Sequence, residues 1–204
     1  MLTSIVVHAG NPELQDRAAI FEIGHRVVFA LADGAGGVAG GALAAEFFTR
    51  IVRESAASLT TPESCVQLLR RIDQDLAKGS ECGETTGLVA IVESNRICGA
   101  SVGDSMAWAF GTNERIELTR GQERKPFLGS GVALARSFTR SPCQGTIVFA
   151  TDGLWKYAGL ELIEQRIREA DASSLAEDLS QLVRLRSGGF PDDVAIMTCQ
   201  RGSA

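Results

Sequence analysis

The sequence predicts an α+β protein in which antiparallel sheets are covered by pairs of helices. Apolar stretches of strand type occur in groups, and amphipathic helical stretches occur as consecutive pairs between those groups. A doubly wound parallel sheet requires strands and helices in strict alternation, so the element order disfavours it. No linker or shift in composition divides the 204 residues. We therefore expect one domain over 1–204.

The first part of the chain predicts three strands followed by two helices. The strands are expected at 4–7, 18–23 and 27–32, and they could form an antiparallel meander. The first helix is expected over 42–52. The second begins near Thr60, whose side chain can cap it with Glu63 answering three residues later, and it extends to Ala77.

The second part of the chain again predicts strands followed by two helices, and one last strand comes after them. Strands are predicted at 86–92, 96–102, 105–110, 114–118 and 146–151. The segment 119–145 is the least regular. Helices follow at 160–169 and from a capping box that begins at Ser174, and the last strand covers 194–199.

Composition excludes several classes of protein. The net charge of −5 argues against a nucleic-acid binder, and no apolar run approaches the length of a membrane span. The first residues lack the pattern of a secretory signal. The cysteines show no C-x-x-C spacing, which predicts reduced thiols and a cytoplasmic protein. They are at positions 65, 82, 98, 143 and 199.

The stretch from Val27 to Gly41 carries the strongest local signal in the chain. Six apolar residues precede Asp33, and the turn that follows satisfies G-x-G-x-x-A before a helix. This is the setting of a dinucleotide-binding fingerprint. However, Asp33 would place a negative charge beside the pyrophosphate, and a second strand ending in an acid about 20 residues later is missing. A dinucleotide-dependent oxidoreductase therefore remains only a third hypothesis.

A metal site explains the same turn better. Asp33, Asp152 and Asp192 each occur where an apolar strand meets a turn that contains Gly or Pro, and Asp16 lies beside the first predicted strand pair. Adjacent carboxylates repel each other unless a cation lies between them. Mg²⁺ and Mn²⁺ prefer oxygen ligands of this kind.

Six motifs in order resemble the metal-dependent protein serine/threonine phosphatases of type 2C. Each motif is weak alone, but together they extend over nearly the whole chain. They are Gln15-Asp16, Asp33-Gly34-Ala35-Gly36-Gly37, Gly83-Glu84-Thr85-Thr86, Val102-Gly103-Asp104-Ser105 with Leu118-Thr119 after it, Ala150-Thr151-Asp152-Gly153-Leu154-Trp155, and Asp192-Asp193-Val194.

The resemblance implies a four-layer αββα sandwich with a two-metal centre at one end. Asp33 would bridge two Mg²⁺ or Mn²⁺ ions, and Asp16 with the Gly34 carbonyl would complete one of them. Asp152 and Asp192 would hold the other ion. Asp104 would help Asp152 hold a third, looser ion. Water activated by the two metals would then hydrolyse phosphoserine or phosphothreonine, with no covalent enzyme intermediate.

The chain departs from the family pattern where the substrate binds. The family often has an arginine shortly before the first aspartate to bind the substrate phosphate, and here His8 and Asn11 stand in that stretch instead, while Arg17 follows Asp16 directly. Only 48 positions separate Asp104 from Asp152, so the flap beside the active site is expected to be reduced. Asn11, Arg124 and Lys125 are candidates for substrate binding, and His8 is a candidate general acid.

The implied partner is a phosphorylated protein, together with a cognate serine/threonine kinase system. No nucleic acid and no membrane are expected, and the chain is expected to be a monomer. The missing arginine motivates a second hypothesis, in which a catalytically weak or inactive relative keeps the fold and binds phosphoproteins as a regulator.

Overall fold

The computed structural model describes residues 1–35, 40–79, 83–112 and 114–201. Within them the strands are β1 (Leu2–His8), β2 (Asp16–Ile23), β3 (Arg26–Asp33), β4 (Gly87–Val92), β5 (Ile97–Val102), β6 (Met106–Phe110), β7 (Arg115–Glu117), β8 (Arg136–Arg140), β9 (Thr146–Ala150) and β10 (Val194–Gln200). The helices are α1 (Gly41–Ser55), α2 (Pro62–Lys78), α3 (Asp152–Trp155), α4 (Leu160–Glu169) and α5 (Leu175–Ser180). Short 3₁₀ turns follow α1 at Ala56–Ser58 and α5 at Gln181–Val183.

The strands of the described residues form two five-stranded antiparallel sheets. The first sheet has the order β1-β10-β9-β6-β7, and the second has the order β2-β3-β4-β5-β8. Helices α1 and α2 pack on the second sheet, whereas α3 and α5 pack on the first and α4 packs on α5. The predicted α+β sandwich of two antiparallel sheets with helices outside is thereby confirmed.

Strand β3 shows why its apolar run has no polar interruption. Val28 and Ala30 face the helices α1 and α2, while Phe29 and Leu31 face the opposite sheet. Both faces of this strand are buried, although its neighbours β2 and β4 are antiparallel. In the layer between the sheets, the Phe29 and Phe149 rings stack with their centres 4.7 Å apart.

The expected meander of the first three strands is wrong. Strands β2 and β3 form a hairpin, but β1 pairs with β10 in the other sheet, from Leu2 opposite Gln200 to His8 opposite Val194. The loop from Gly10 to Gln15 therefore connects the two sheets. Backbone N–H groups of this loop donate hydrogen bonds to Asp193, a residue that adjoins β10. A contact over such a separation leaves no local pattern in the sequence.

Helix caps and one edge strand also differ from expectation. The capping box of α2 uses Thr61 and Ser64 rather than Thr60 and Glu63, because the residue before Pro62 is extended and so becomes the N-cap. The Ser174 side chain does not cap α5. Strand β8 lies inside 119–145, and Phe138 is its one buried residue, so its alternation is too weak to detect.

Four cysteines, Cys65, Cys98, Cys143 and Cys199, are free and buried, and Cys82 lies outside the described residues. In the described part of the chain, no helix combines the length and apolarity that a membrane crossing needs.

The layer between the sheets can be tested with a pair of leucines. Leu88 on β4 is fully buried in this layer, whereas Leu162 on α4 is 54% exposed. We expect Leu88→Ala to lower the free energy of unfolding by about 2–5 kcal/mol, because it removes buried apolar surface and leaves a cavity. Leu162→Ala should change it by under about 1 kcal/mol. Urea denaturation measures both, and equal losses would contradict the sandwich packing.

Candidate metal centre

The fold brings the predicted acids to one end of the sandwich. Asp16 begins β2 and is the register partner of Asp33 at the end of β3. Asp104 lies in the turn from β5 to β6, and Asp152 comes shortly after β9. Asp192 shortly precedes β10. The ends of five strands or turns thus place these carboxyl groups in one region, although they are far apart along the chain.

A cleft of about 690 Å³ opens at this end. Its lining includes nine of the residues predicted from the sequence: Asn11, Asp16, Asp33, Gly34, Asp104, Arg124, Lys125, Asp152 and Asp192. It also includes residues that the sequence reasoning did not assign to the site: Gln15, Ala35, Glu84, Thr86, Phe127 and Asp193.

Three carboxylates in the cleft are arranged as metal ligands. One oxygen each of Asp33, Asp104 and Asp152 lie within 4.8 Å of one another. Carboxylate oxygens at such spacing are the donor set that Mg²⁺ and Mn²⁺ prefer, and they repel each other when no cation is bound. The residues present therefore fit a divalent cation.

Burial raises the pKa of three acids in the cleft. Burial raises the pKa of Asp16 to about 8, against a hydrogen bond from the Thr151 hydroxyl, which lowers it. Burial, together with the charge of Asp16, raises the pKa of Asp33 to about 9. Burial also raises the pKa of Asp152. Bound divalent cations would reverse these shifts, because an adjacent positive charge favours the ionised carboxylate.

Thr85 and Thr86, which follow Gly83-Glu84 and precede β4, bind the main chain of Asp33 through hydrogen bonds. The Asp33 N–H donates to the Thr86 hydroxyl at 2.9 Å, and the Asp33 carbonyl accepts from the Thr86 N–H at 2.8 Å. The Thr85 hydroxyl donates to the same carbonyl at 2.9 Å. The Thr86 hydroxyl also contacts that of Ser105 at 2.8 Å, which joins two of the sequence motifs.

The glycine after Asp33 is required by close packing of the main chain. A Cβ at Gly34 would overlap the carbonyl of Gly41, the first residue of α1. The start of this helix can approach the site for that reason. The residues 36–39 of the predicted glycine turn lie outside the described residues.

Asp193 organises the loop that carries two residues of the cleft. Its Oδ1 accepts from the N–H groups of Gly10 at 2.8 Å and Asn11 at 3.0 Å, and its Oδ2 accepts from the Gln15 N–H at 2.7 Å. The Asn11 side-chain amide in turn donates to Asp192 Oδ1 at 2.9 Å. In the sequence, only the presence of a second acid directly after Asp192 pointed to this anchoring role.

Two positive side chains reach into the acidic cluster. Arg124 Nε lies 2.7 Å from Asp104 Oδ2, and the Lys156 ammonium contacts Asp152 Oδ2. Lys125 lies beside them in the cleft lining, with its ammonium 5.4 Å from the centre of the Phe127 ring. Lys156 was not predicted, although its position four residues after Asp152 is typical of an ion pair on one helical face.

His8 is directed to other partners. Its Nε2 lies 3.1 Å from Glu177 Oε2, and its ring stacks on Phe190 with the centres 4.5 Å apart. His8 is not one of the described residues that line the cleft. The geometry therefore gives no support to the hypothesis that His8 acts as a general acid.

A buried acid on α2 anchors the segment that follows the cleft residues Arg124, Lys125 and Phe127. Asp73 accepts from the N–H groups of Gly129 at 2.9 Å, Gly131 at 3.0 Å and Ala133 at 3.1 Å. The adjacent Leu128 exchanges two backbone hydrogen bonds with Thr85. The flap, residues 124–133, is thus attached both to α2 and to Thr85, whose hydroxyl donates to the Asp33 carbonyl.

The comparisons with known proteins agree with this geometry. The family model described as protein phosphatase 2C matches residues 7–184. A search of curated proteins by sequence found no match.

Solved structures of similar fold include several phosphatases. A bacterial serine phosphatase has a TM-score of 0.86 at 16% identity, with 100% of both chains covered. The serine/threonine phosphatase Stp1 from Staphylococcus aureus has a TM-score of 0.86 at 17% identity, over 100% of this chain and 96% of that one. The catalytic domain of the serine/threonine phosphatase PstP, solved with two manganese ions, has a TM-score of 0.74 at 15% identity over 96% of each chain.

The anchoring role of Asp73 can be tested against a neighbour on the same helix. We expect Asp73→Ala to lower the free energy of unfolding by about 2–4 kcal/mol, because it removes a buried carboxylate that accepts three backbone hydrogen bonds. Asp75 is more exposed and forms ion pairs with Arg71 and Lys78, so Asp75→Ala should change it by under about 1 kcal/mol. Urea denaturation measures both variants. Equal small effects would show that Asp73 does not anchor the flap.

The buried acids predict a stability that depends on pH in the presence of a chelator. The pKa values of Asp16 and Asp33 are raised from 3.8 to about 8 and about 9. A carboxyl group whose pKa is raised by folding stabilises the fold fully below 3.8, and this contribution is lost as pH rises through the higher value. The free energy of unfolding in EDTA should therefore be lower at pH 9.5 than at pH 6.

The variant Asp33→Asn should show a smaller difference between the two pH values, because an amide does not titrate. Asp75→Asn provides a control with an unchanged difference. The same pH dependence in Asp33→Asn as in the wild-type protein would contradict the assignment of a raised pKa to Asp33.

Proposed function

The chain belongs to the protein phosphatase 2C family, and from that premise we propose that it hydrolyses phosphoserine and phosphothreonine in proteins with bound Mg²⁺ or Mn²⁺. The observation that carries the proposal is the cluster of Asp16, Asp33, Asp152 and Asp192 in one cleft, where oxygens of Asp33 and Asp152 lie within 4.8 Å of each other. This cluster lies in a cleft open to solvent, where a phosphorylated side chain can enter.

We assign the ligands of the two ions to acids that lie at or near the ends of strands. Asp33 would contribute to two ions, Asp16 and the Gly34 carbonyl would complete one, and Asp152 and Asp192 would complete the other. Hydrogen bonds orient several of these groups: Thr151 donates to Asp16, and Asn11 donates to Asp192. Such supporting contacts fix the direction of each carboxylate before an ion arrives.

Two bound divalent ions would supply Lewis-acid chemistry, which lowers the pKa of water and offsets the negative charge of the phosphoryl oxygens. The chain itself contributes positioning. The positive charges of Arg124 and Lys125 lie in the cleft lining and can attract the phosphate dianion. Phe127, also in the lining, offers an apolar surface beside them. Arg124 and Lys125 are proposed to replace the arginine that is missing before Asp16.

The alternatives are less consistent with the structure. The strands on either side of β3 are both antiparallel to it, whereas a dinucleotide-binding unit needs parallel neighbours. A relative that only binds phosphoproteins would have no use for closely spaced, desolvated carboxylates. We further propose that one domain extends over 1–204. The protein is proposed to act as a cytoplasmic monomer that removes phosphate groups added by a serine/threonine kinase.

The proposal is tested by hydrolysis of a phosphothreonine peptide. We expect phosphate release with Mn²⁺ or Mg²⁺, loss of release with EDTA, and recovery when metal is added back. Asp152→Asn should lower kcat/KM by more than about a hundredfold, because even the outer partners of metal ligands contribute about ten- to a hundredfold. Asp75→Asn, which is remote from the cleft, serves as the matched control and should keep full activity.

Activity that survives EDTA, or that remains unchanged in Asp152→Asn, would contradict a metal-dependent phosphatase. Tight binding of the phosphopeptide with no turnover under any metal condition would instead favour the regulatory alternative.

A further inference from the structure

Positive charge inside the acidic cleft is distributed unevenly over its carboxylates. Asp152 is paired with Lys156, and Asp104 is paired with Arg124 at 2.7 Å. The third member of the cluster, Asp33, forms no ion pair with any described residue. Asp16 accepts from a neutral hydroxyl, and Asp192 accepts from an amide and a backbone N–H. Only the Asp104 and Asp152 side of the cluster is therefore neutralised by the protein itself.

The Lys156 pair is part of the local fold. Asp152 begins α3 and Lys156 is its C-cap, so the two side chains lie one helical turn apart. The Lys156 N–H also donates to the Asp152 carbonyl at 3.0 Å. The ammonium group cannot move far from Asp152 without a change in rotamer, because the helix holds both main chains.

Burial of the carboxylate partner distinguishes these ion pairs from ordinary surface pairs, although the Lys156 side chain is 33% exposed and that of Arg124 is 65% exposed. An exposed pair contributes about 0–1 kcal/mol. Here the two carboxylates have side chains only 12–13% exposed, and they lie among further acids of the same cleft. Clustered negative charge in a concave, partly desolvated site attracts any nearby cation. Arg124 and Lys156 are the described side chains that meet this demand at Asp104 and Asp152.

A divalent ion and a side-chain cation compete for the same place. Mg²⁺ requires ligands at about 2.0–2.1 Å in a nearly complete octahedron, so an ammonium or guanidinium held on a carboxylate oxygen blocks that oxygen. The positive charges would also repel a second cation placed between them. Asp33, Asp16 and Asp192 form no ion pair with a described side chain, so their carboxylate oxygens are not blocked in this way.

We propose that Arg124 and Lys156 take the place of a further divalent ion at Asp104 and Asp152. The protein then holds one ion fewer than its carboxylates alone would accept, and Asp104 serves as the partner of Arg124 rather than as a metal ligand. The inference rests on the proposed function, because it presumes the two proposed metal ions.

The test counts Mn²⁺ ions bound per chain. Metal-free protein is titrated with Mn²⁺ by isothermal calorimetry, and free Mn²⁺ is followed by electron paramagnetic resonance. We expect the double variant Arg124→Met with Lys156→Met to bind one more ion than the wild-type protein. Circular dichroism shows whether the double variant folds. If it does not, the single variant Lys156→Met provides a second measurement, because it changes only one partly exposed side chain. It too should gain the ion.

Two further variants test whether the additional ion binds at Asp104. Asp104→Asn should leave the number of ions in the wild-type background unchanged, but it should remove the additional ion when it is combined with the double variant. Lys78→Met, at an exposed ion pair on α2, removes a positive charge far from the cleft and should not change the count.

An equal number of ions in the wild-type protein and both methionine variants would overturn the inference. Loss of an ion from Asp104→Asn in the wild-type background would also overturn it, because Asp104 would then be a ligand. In either case a metal-dependent phosphatase activity would still stand. A wild-type protein that binds no Mn²⁺ would overturn this inference and the proposed function together.

Discussion

Repulsion among buried carboxylates is the constraint on which the rest of this structure depends. Asp16 and Asp33 face each other across the β2–β3 pair, and Asp104 and Asp152 approach Asp33 from other turns. Water is largely excluded from the first two, so their pKa values rise well above that of a free carboxyl group. Such an arrangement is unfavourable without cations, and the remainder of the fold maintains it against this cost.

The scaffold holds the acids through main-chain hydrogen bonds and through two further acids that accept several backbone N–H groups. Asp193 fixes the loop between β1 and β2, and Asp73 fixes the segment after Phe127. Thr86 fixes the end of β3. A carboxylate that accepts several backbone N–H groups is a strong local anchor, because each of these bonds is charge-assisted. The cleft is therefore shaped by two kinds of aspartate: those that carry the acidic cluster, and Asp193 and Asp73, which accept backbone N–H groups.

The charge balance of the cleft distinguishes its two sides. On the side of Asp16 and Asp192, hydroxyl, amide and backbone donors orient the carboxylates, and no described side-chain cation pairs with them. On the side of Asp104, the chain brings its own cations. A phosphatase that lacks an arginine before its first aspartate thus still has positive side chains in the site.

The features that could be predicted from the sequence are those with a short-range physical cause. The continuous apolar run of β3 required burial on both faces, and the glycine after Asp33 required close packing. The helix pairs followed from their apolar periodicity. Strand β8 was missed because only Phe138 is buried in it, and the cap of α2 was displaced by one residue because Pro62 decides the conformation before it.

The sequence by itself determined the fold class, most of the helices and strands, and which aspartates stand where a strand meets a turn. Only the tertiary structure decided that β1 joins β10, that Asp193 and Asp73 face the main chain, that His8 pairs with Glu177, and that Lys156 and Arg124 face the acids. The physical reason is range. Propensity, periodicity and turn chemistry act between neighbours in the chain, whereas charge pairing and strand order depend on distances in space that no local pattern encodes.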